Sequence, residues 1–130
     1  MWISLFFSNR FPEATSFAVA RFPRDQVDPA LARWPGLADD LKDPDAYCRT
    51  IEARLREVQA GTGRVPSVAP MNVDAFLEFA SGQGLDPSTG TARSRFAALL
   101  GCRGETVPWP PGRNDPCWCS SGRKYKRCCA

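Results

Sequence analysis

Four cysteines crowd into thirteen residues near the end of the chain: Cys117-Trp118-Cys119, eight residues, then Cys128-Cys129. A segment this short buries almost no apolar core, so a metal or cross-links must hold its shape. Two thiols two apart on a turn, met by two more after a short loop, can supply a tetrahedral set for Zn²⁺ at S–Zn distances of about 2.3 Å. Cys128 and Cys129 are adjacent and poorly placed to bond each other. Two disulfides between the pairs, or free redox thiols, are the alternatives. Disulfides persist mainly in oxidising compartments. The apolar run Met1–Phe7 is too short, and lacks the basic lead, for a signal peptide or a membrane span. The expectation is therefore one structural zinc per chain, held by Cys117, Cys119, Cys128 and Cys129, in a cytoplasmic protein.

The segment Gly112–Ala130, GRNDPCWCSSGRKYKRCCA, closely resembles the SEC-C motif of the SecA preprotein translocase ATPase and many other bacterial proteins. Gly112, Arg113, Asn114, Asp115 and Pro116 match its lead, and Gly122, Lys124, Tyr125 and Lys126 its interior. The resemblance implies the same four cysteine ligands. It also implies a zinc-stabilised module that docks on a protein partner, an export chaperone or the ribosome. One departure stands out: the usual Gly-Ser-Gly after the second cysteine is here Ser120-Ser121-Gly122. Serine with a positive φ at position 120 would cost on the order of 1 kcal/mol. With four thiolates the site has no open position for water, which makes it structural rather than hydrolytic.

Charge and composition narrow the function. The formal net charge is +3. The tail carries Arg113, Arg123, Lys124, Lys126 and Arg127 against Asp115, a net +4, so the remainder sums to −1. A mildly basic tail on a near-neutral body argues only weakly for nucleic acid. The chain has no histidine, which removes the commonest general base. No Walker A sequence is present, so the translocase motor is absent. No constellation points to catalysis or to a small-molecule substrate. Trp118 and Tyr125, set among the tail's cations, are candidates for stacking on bases or anchoring a protein interface. Alternatively, Trp118 covers the metal site or packs on Trp109.

Along the chain, residues 2–7 and 16–22 are the candidate strands, with Asn9 to Ala14 as a hairpin turn. Val27, Leu31 and Trp34 form one helical face, with the helix starting near Asp28 and Pro29 in its first position. Leu37 to Leu41 adds a turn. The clearest helix runs from Pro44 to Ala60, capped by Asp43 and stopped by Gly61. Tyr47, Cys48, Ile51, Leu55 and Val58 make its apolar stripe, while Arg49, Glu52, Arg54, Arg56 and Glu57 look outward. Gly61 to Pro70 reads as a loop. Helices follow over Val73–Ala80, broken by Gly82 and Gly84, and from a cap at Asp86-Pro87 to Gly101. Cys48 reads as a small core residue. Val107 to Pro111 reads as an extended, semi-rigid spacer, with Trp109 free to dock on either neighbour.

These readings add up to a mainly α fold, with an N-terminal hairpin as its α+β variant. Residues 1–102 form a small helical domain, on one reading the remnant of a longer one. A Pro-rich linker spans 103–111 and a Cys₄ zinc knuckle spans 112–130. The function expected is a non-enzymatic, zinc-binding adaptor whose knuckle docks through Arg113, Trp118, Arg123, Lys124, Tyr125, Lys126 and Arg127. A nucleic-acid binder using the basic tail is the alternative.

Overall fold

A computed structural model describes residues 17–130. Strand β1 (Ala18–Arg21) leads into α1 (Arg24–Arg33), a 3₁₀ turn (Pro35–Leu37) and the short α2 (Ala38–Leu41). Then come α3 (Pro44–Thr62), β2 (Ser67–Pro70), α4 (Val73–Gln83), α5 (Gly90–Cys102) and β3 (Val107–Pro108), with a last 3₁₀ turn at Tyr125–Arg127. The fold is mainly α with a small sheet of order β1-β2-β3. β1 runs parallel to β2, Ala18 opposite Ser67 and Arg21 opposite Pro70. β3 runs antiparallel, Val107 opposite Val68. Among the described residues no helix is long and apolar enough to cross a membrane.

The sheet divides the interior in two. Successive strand residues point to opposite faces. Ala18, Ala20 and Ala69 face a core built on Phe22, Met71, Phe76 and Phe96, with α1, α4 and α5 around it. Val19, Val68 and Val107 face a second cluster, where Cys48, Ile51 and Leu55 of α3 meet Trp109 and the cysteine-rich tail. Phe76 is fully buried and ties the first core together, its ring 5.9 Å from Trp34 and 5.5 Å from Phe96.

Several boundaries differ from the sequence reading. The hairpin's first strand and turn lie outside the described residues; its second strand is β1, whose partner is β2. Helix α1 starts at Arg24, before Pro29, because Pro23 already supplies the extended cap and its carbonyl accepts the Gln26 N–H. Pro29 removes only the donor to the Asp25 carbonyl, and both residues are exposed, which leaves that carbonyl open to solvent. Helix α3 continues past Gly61 to a left-handed Gly63 (φ 70°), and α4 past Gly82 to Gly84 (φ 67°). The left-handed cap, rather than the first glycine met, sets each stop. Helix α5 is capped by Thr89, whose hydroxyl accepts the Ala92 N–H; Asp86 instead closes its own turn onto Ser88. The Gly61–Pro70 loop contains β2. Val107–Pro108, expected as part of a spacer, pairs with β2, and Trp109 is buried.

Truncating the central ring tests the first core. Phe76→Ala should cost about 3–5 kcal/mol in urea denaturation, through lost transfer energy and the cavity left behind.

Candidate metal centre

The tail folds as a small antiparallel loop. Pro116 bridges Lys124, the Cys117 N–H donates to the Arg123 carbonyl, and the Tyr125 N–H donates to that of Asp115. Asp115 folds back on the lead, its carboxylate accepting the Gly112 N–H at 3.2 Å. Between the arms, the Ser120 N–H donates to the Cys117 carbonyl, and Ser120 takes the left-handed conformation (φ 64°). That turn brings Cys117 and Cys119 together, and the closing 3₁₀ turn brings up Cys128 and Cys129. All four Sγ atoms lie within 4.8 Å of one another. Cys119 and Cys128 are 3.4 Å apart, and Cys128 and Cys129 3.7 Å. A tetrahedron with S–metal legs of about 2.3 Å has edges of about 3.8 Å, so the set fits one ion. All the cysteines are free thiols.

The thiols are not equivalent. Burial alone would raise Cys119, but hydrogen bonds from Ser121 and Cys128 outweigh it and hold the group down at about 6. Burial pushes Cys117 and Cys129 up. A divalent cation offsets the cost of ionising buried thiols, because metal ligands bind as thiolates. Cys48 lies in the same cluster but outside the four-sulfur set; burial and then the charge of Cys119 raise it to about 11. Cys102 is exposed.

The knuckle is fastened to the body by a carboxylate. Glu52, expected on the outward face of α3, is only 4% exposed. Its Oε1 accepts the indole N–H groups of Trp109 (3.1 Å) and Trp118 (3.0 Å). Its Oε2 accepts the Tyr125 hydroxyl (2.7 Å) and the Arg56 Nε–H (3.0 Å). A carboxylate offers about four lone-pair positions, and four donors occupy them. Burial, then the Glu52 hydrogen bond, raises Tyr125 to about 12. On the other side of Trp118, the Arg21 guanidinium lies 5.4 Å from the ring centroid and donates to the Cys119 carbonyl at 3.2 Å.

Trp118 and Tyr125 are therefore turned inward, 2% and 6% exposed, instead of being presented to a partner. Arg113, Arg123, Lys124, Lys126 and Arg127 are exposed. Arg123 reaches Asp45 at the start of α3 at 3.1 Å. Sequence reasoning missed Glu52 and Arg21, although both follow the local period. Glu52 is four residues after Cys48 and three before Leu55, and Arg21 is two after Val19. The charge of Glu52 argues for exposure, and nothing local to Arg21 marks it as part of a site.

Two family models divide the chain between the body and the knuckle. A family model described as "Domain of unknown function (DUF8829)" matches residues 29–111, and the SEC-C motif matches 113–130. The chain is similar to the protein translocase subunit SecA of Treponema denticola, 53% identical over 49 residues, 38% of this chain and 5% of that protein. SecA of Paraburkholderia phytofirmans is 32% identical over 91 residues, 70% of this chain and 9% of that protein. With the Halothermothrix orenii SecA the identity is 73% over 22 residues, 17% of this chain and 3% of that protein. The chain thus spans less than a tenth of these relatives' length. No solved structure matches it.

Two substitutions probe this region. In Glu52→Gln an amide NH₂ must face either the two indoles or the Tyr125–Arg56 pair. The metal-loaded protein should lose about 1–3 kcal/mol in chemical denaturation; unchanged stability would remove Glu52 as the fastening. Ser120→Gly relieves the left-handed strain and should gain about 1 kcal/mol in the same measurement.

Proposed function

Because this chain belongs to the family described as a domain of unknown function, DUF8829, and ends in a SEC-C motif, we propose that it is a non-enzymatic, zinc-binding adaptor. It docks on a protein or ribosome partner through the basic face of its knuckle. The observation that carries this reading is the two-sidedness of the knuckle. Its aromatic side is engaged by Glu52 and Arg21, while Arg113, Lys124, Lys126 and Arg127 stand exposed with no ion pair among the described residues. The partner this face fits carries an acidic patch. Zinc is the metal that best suits an all-thiolate, four-coordinate set. Cytoplasmic residence would keep these thiols reduced.

The nucleic-acid reading draws on the same cations. Single-strand binders add aromatic platforms on which bases stack. Here the knuckle's aromatics are buried, which favours the protein-docking reading.

The test starts with zinc content after purification under reducing conditions. About one zinc per chain is expected, and its loss in a Cys128→Ser, Cys129→Ser variant. The zinc-loaded protein is then assayed by ribosome co-sedimentation and by affinity capture. A Lys124→Glu, Lys126→Glu, Arg127→Glu variant that keeps its zinc should bind at least about tenfold more weakly, about 1.4 kcal/mol. Absence of zinc, or unchanged binding after charge reversal, would sink the reading. Binding to naked RNA that falls about 10³-fold or more between 50 and 200 mM salt would move it to nucleic acid.

A further inference from the structure

A cavity of about 380 Å³ opens where α2, α3, β1 and α5 meet, and none of the four clustered cysteines lines it. Arg21, Arg54 and Arg93 line it, with Tyr47 and Thr50 between them. An adjoining hollow of about 420 Å³ shares Thr50, Arg54 and Arg93 and reaches Gly90 and Ser94 in the first turns of α5. The partial positive charge at a helix start adds to that of the guanidinium groups.

Arg21 is held by the Cys119 carbonyl and the Trp118 ring, but neither it nor Arg93 has an anionic partner among the described residues. Arg21 is only 5% exposed, yet its Nε has no hydrogen-bond partner, and no ion pair among the described residues includes Arg21 or Arg93. Arg93 is half-buried. A buried guanidinium with one donor unmet, beside a half-buried guanidinium with no ion pair, would be completed by an anion. The Tyr47 hydroxyl accepts the Phe22 N–H at 2.8 Å, which leaves its own hydrogen free to donate. The charges of Arg21 and Arg93 both act on that hydroxyl, opposing the rise that burial imposes.

The lining also holds Asp39 and Asp40, both exposed. The Asp39 carboxylate is 95% exposed and faces Lys42 at 3.6 Å, so it does not neutralise the arginines within. Arg54 meets Glu57 at 3.8 Å on the surface, a screened contact that leaves the guanidinium available. Guanidinium forks match the geometry of phosphate and carboxylate oxygens. The volume lies within the range of small-ligand sites and exceeds what a lone phosphate fills.

We propose that this cavity binds a small oxyanion-bearing molecule, a phosphate ester or a carboxylate, through Arg93 and the Tyr47 hydroxyl, with Arg21 behind them and Arg54 at the mouth. The proposal does not rest on the knuckle's partner, although Arg21 also holds Trp118 and the Cys119 carbonyl.

Titration calorimetry on the full zinc-loaded chain tests it, with inorganic phosphate and succinate as separate probes to about 20 mM, far enough to reveal millimolar affinity. Saturable binding of one probe is expected, and which one binds tighter separates phosphate from carboxylate ligands. Arg93→Gln should weaken binding at least about tenfold and Arg54→Gln about threefold, or roughly 1.4 and 0.6 kcal/mol. Arg95→Gln, on an exposed position of the same helix, should leave it unchanged. Zinc content and far-ultraviolet circular dichroism report whether each variant is folded. No saturable binding of either probe, or binding equally strong in both Arg93→Gln and Arg54→Gln, overturns the proposal.

Discussion

A carboxylate removed from water must be matched by donors, and Glu52 draws its own from three separate stretches of chain. Arg56 comes from its own helix, Trp109 from the segment after β3, and Trp118 and Tyr125 from the knuckle. Losing any one of these would leave a buried oxygen or a buried N–H unmet, at about 1–3 kcal/mol each. The helix, the proline-rich segment and the cysteine-rich tail are therefore held in one arrangement. Arg21 closes the other side of Trp118, so the ring lies between a cation and an anion, both supplied by the body.

This arrangement explains why so small a tail can be well formed. By itself it has a loop, a short antiparallel bridge and four sulfurs. Docked, it shares an apolar cluster with Ile51, Leu55 and Val68, and the sheet separates that cluster from the larger aromatic core. A metal and the body would thus reinforce each other. An ion on the four sulfurs would fix them, and with them the turn that presents Trp118; Glu52 and Arg21 hold Trp118 and the Cys119 carbonyl. A consequence for function is directional. The side of the knuckle that carries aromatics faces inward, and the side that carries Arg113, Lys124, Lys126 and Arg127 faces out.

Much of this was legible from local signals. Asp43 caps helix α3 as its place before Pro44 implies, its side chain accepting the Asp45 and Ala46 N–H groups. The four cysteines that could hold a metal ion come together as the Cys-x-Cys and Cys-Cys spacing implies, and Ser120 takes a positive φ. Strand β2 was not legible. It has four residues, follows Pro66 and ends on Pro70, and owes its existence to neighbours on both edges, far away in sequence. The helix stops at Gly63 and Gly84 were misplaced for a smaller reason. Two glycines two residues apart both satisfy the rule, and only the backbone shows which one turns left-handed.

The sequence by itself determined the chemistry of the tail and the helical character of the body. Ligand spacing, caps and apolar stripes act within a few residues, where the chain's covalent geometry already limits the outcome. Tertiary structure alone decided which charges are buried. Glu52 and Arg21 sit at the right period for the interior, but a charge enters the interior only when its partners are there to receive it. Those partners, Trp109, Trp118, Tyr125 and the Cys119 carbonyl, lie 57 to 98 residues along the chain. Their arrival turned a face that reads as solvated into the joint between body and knuckle.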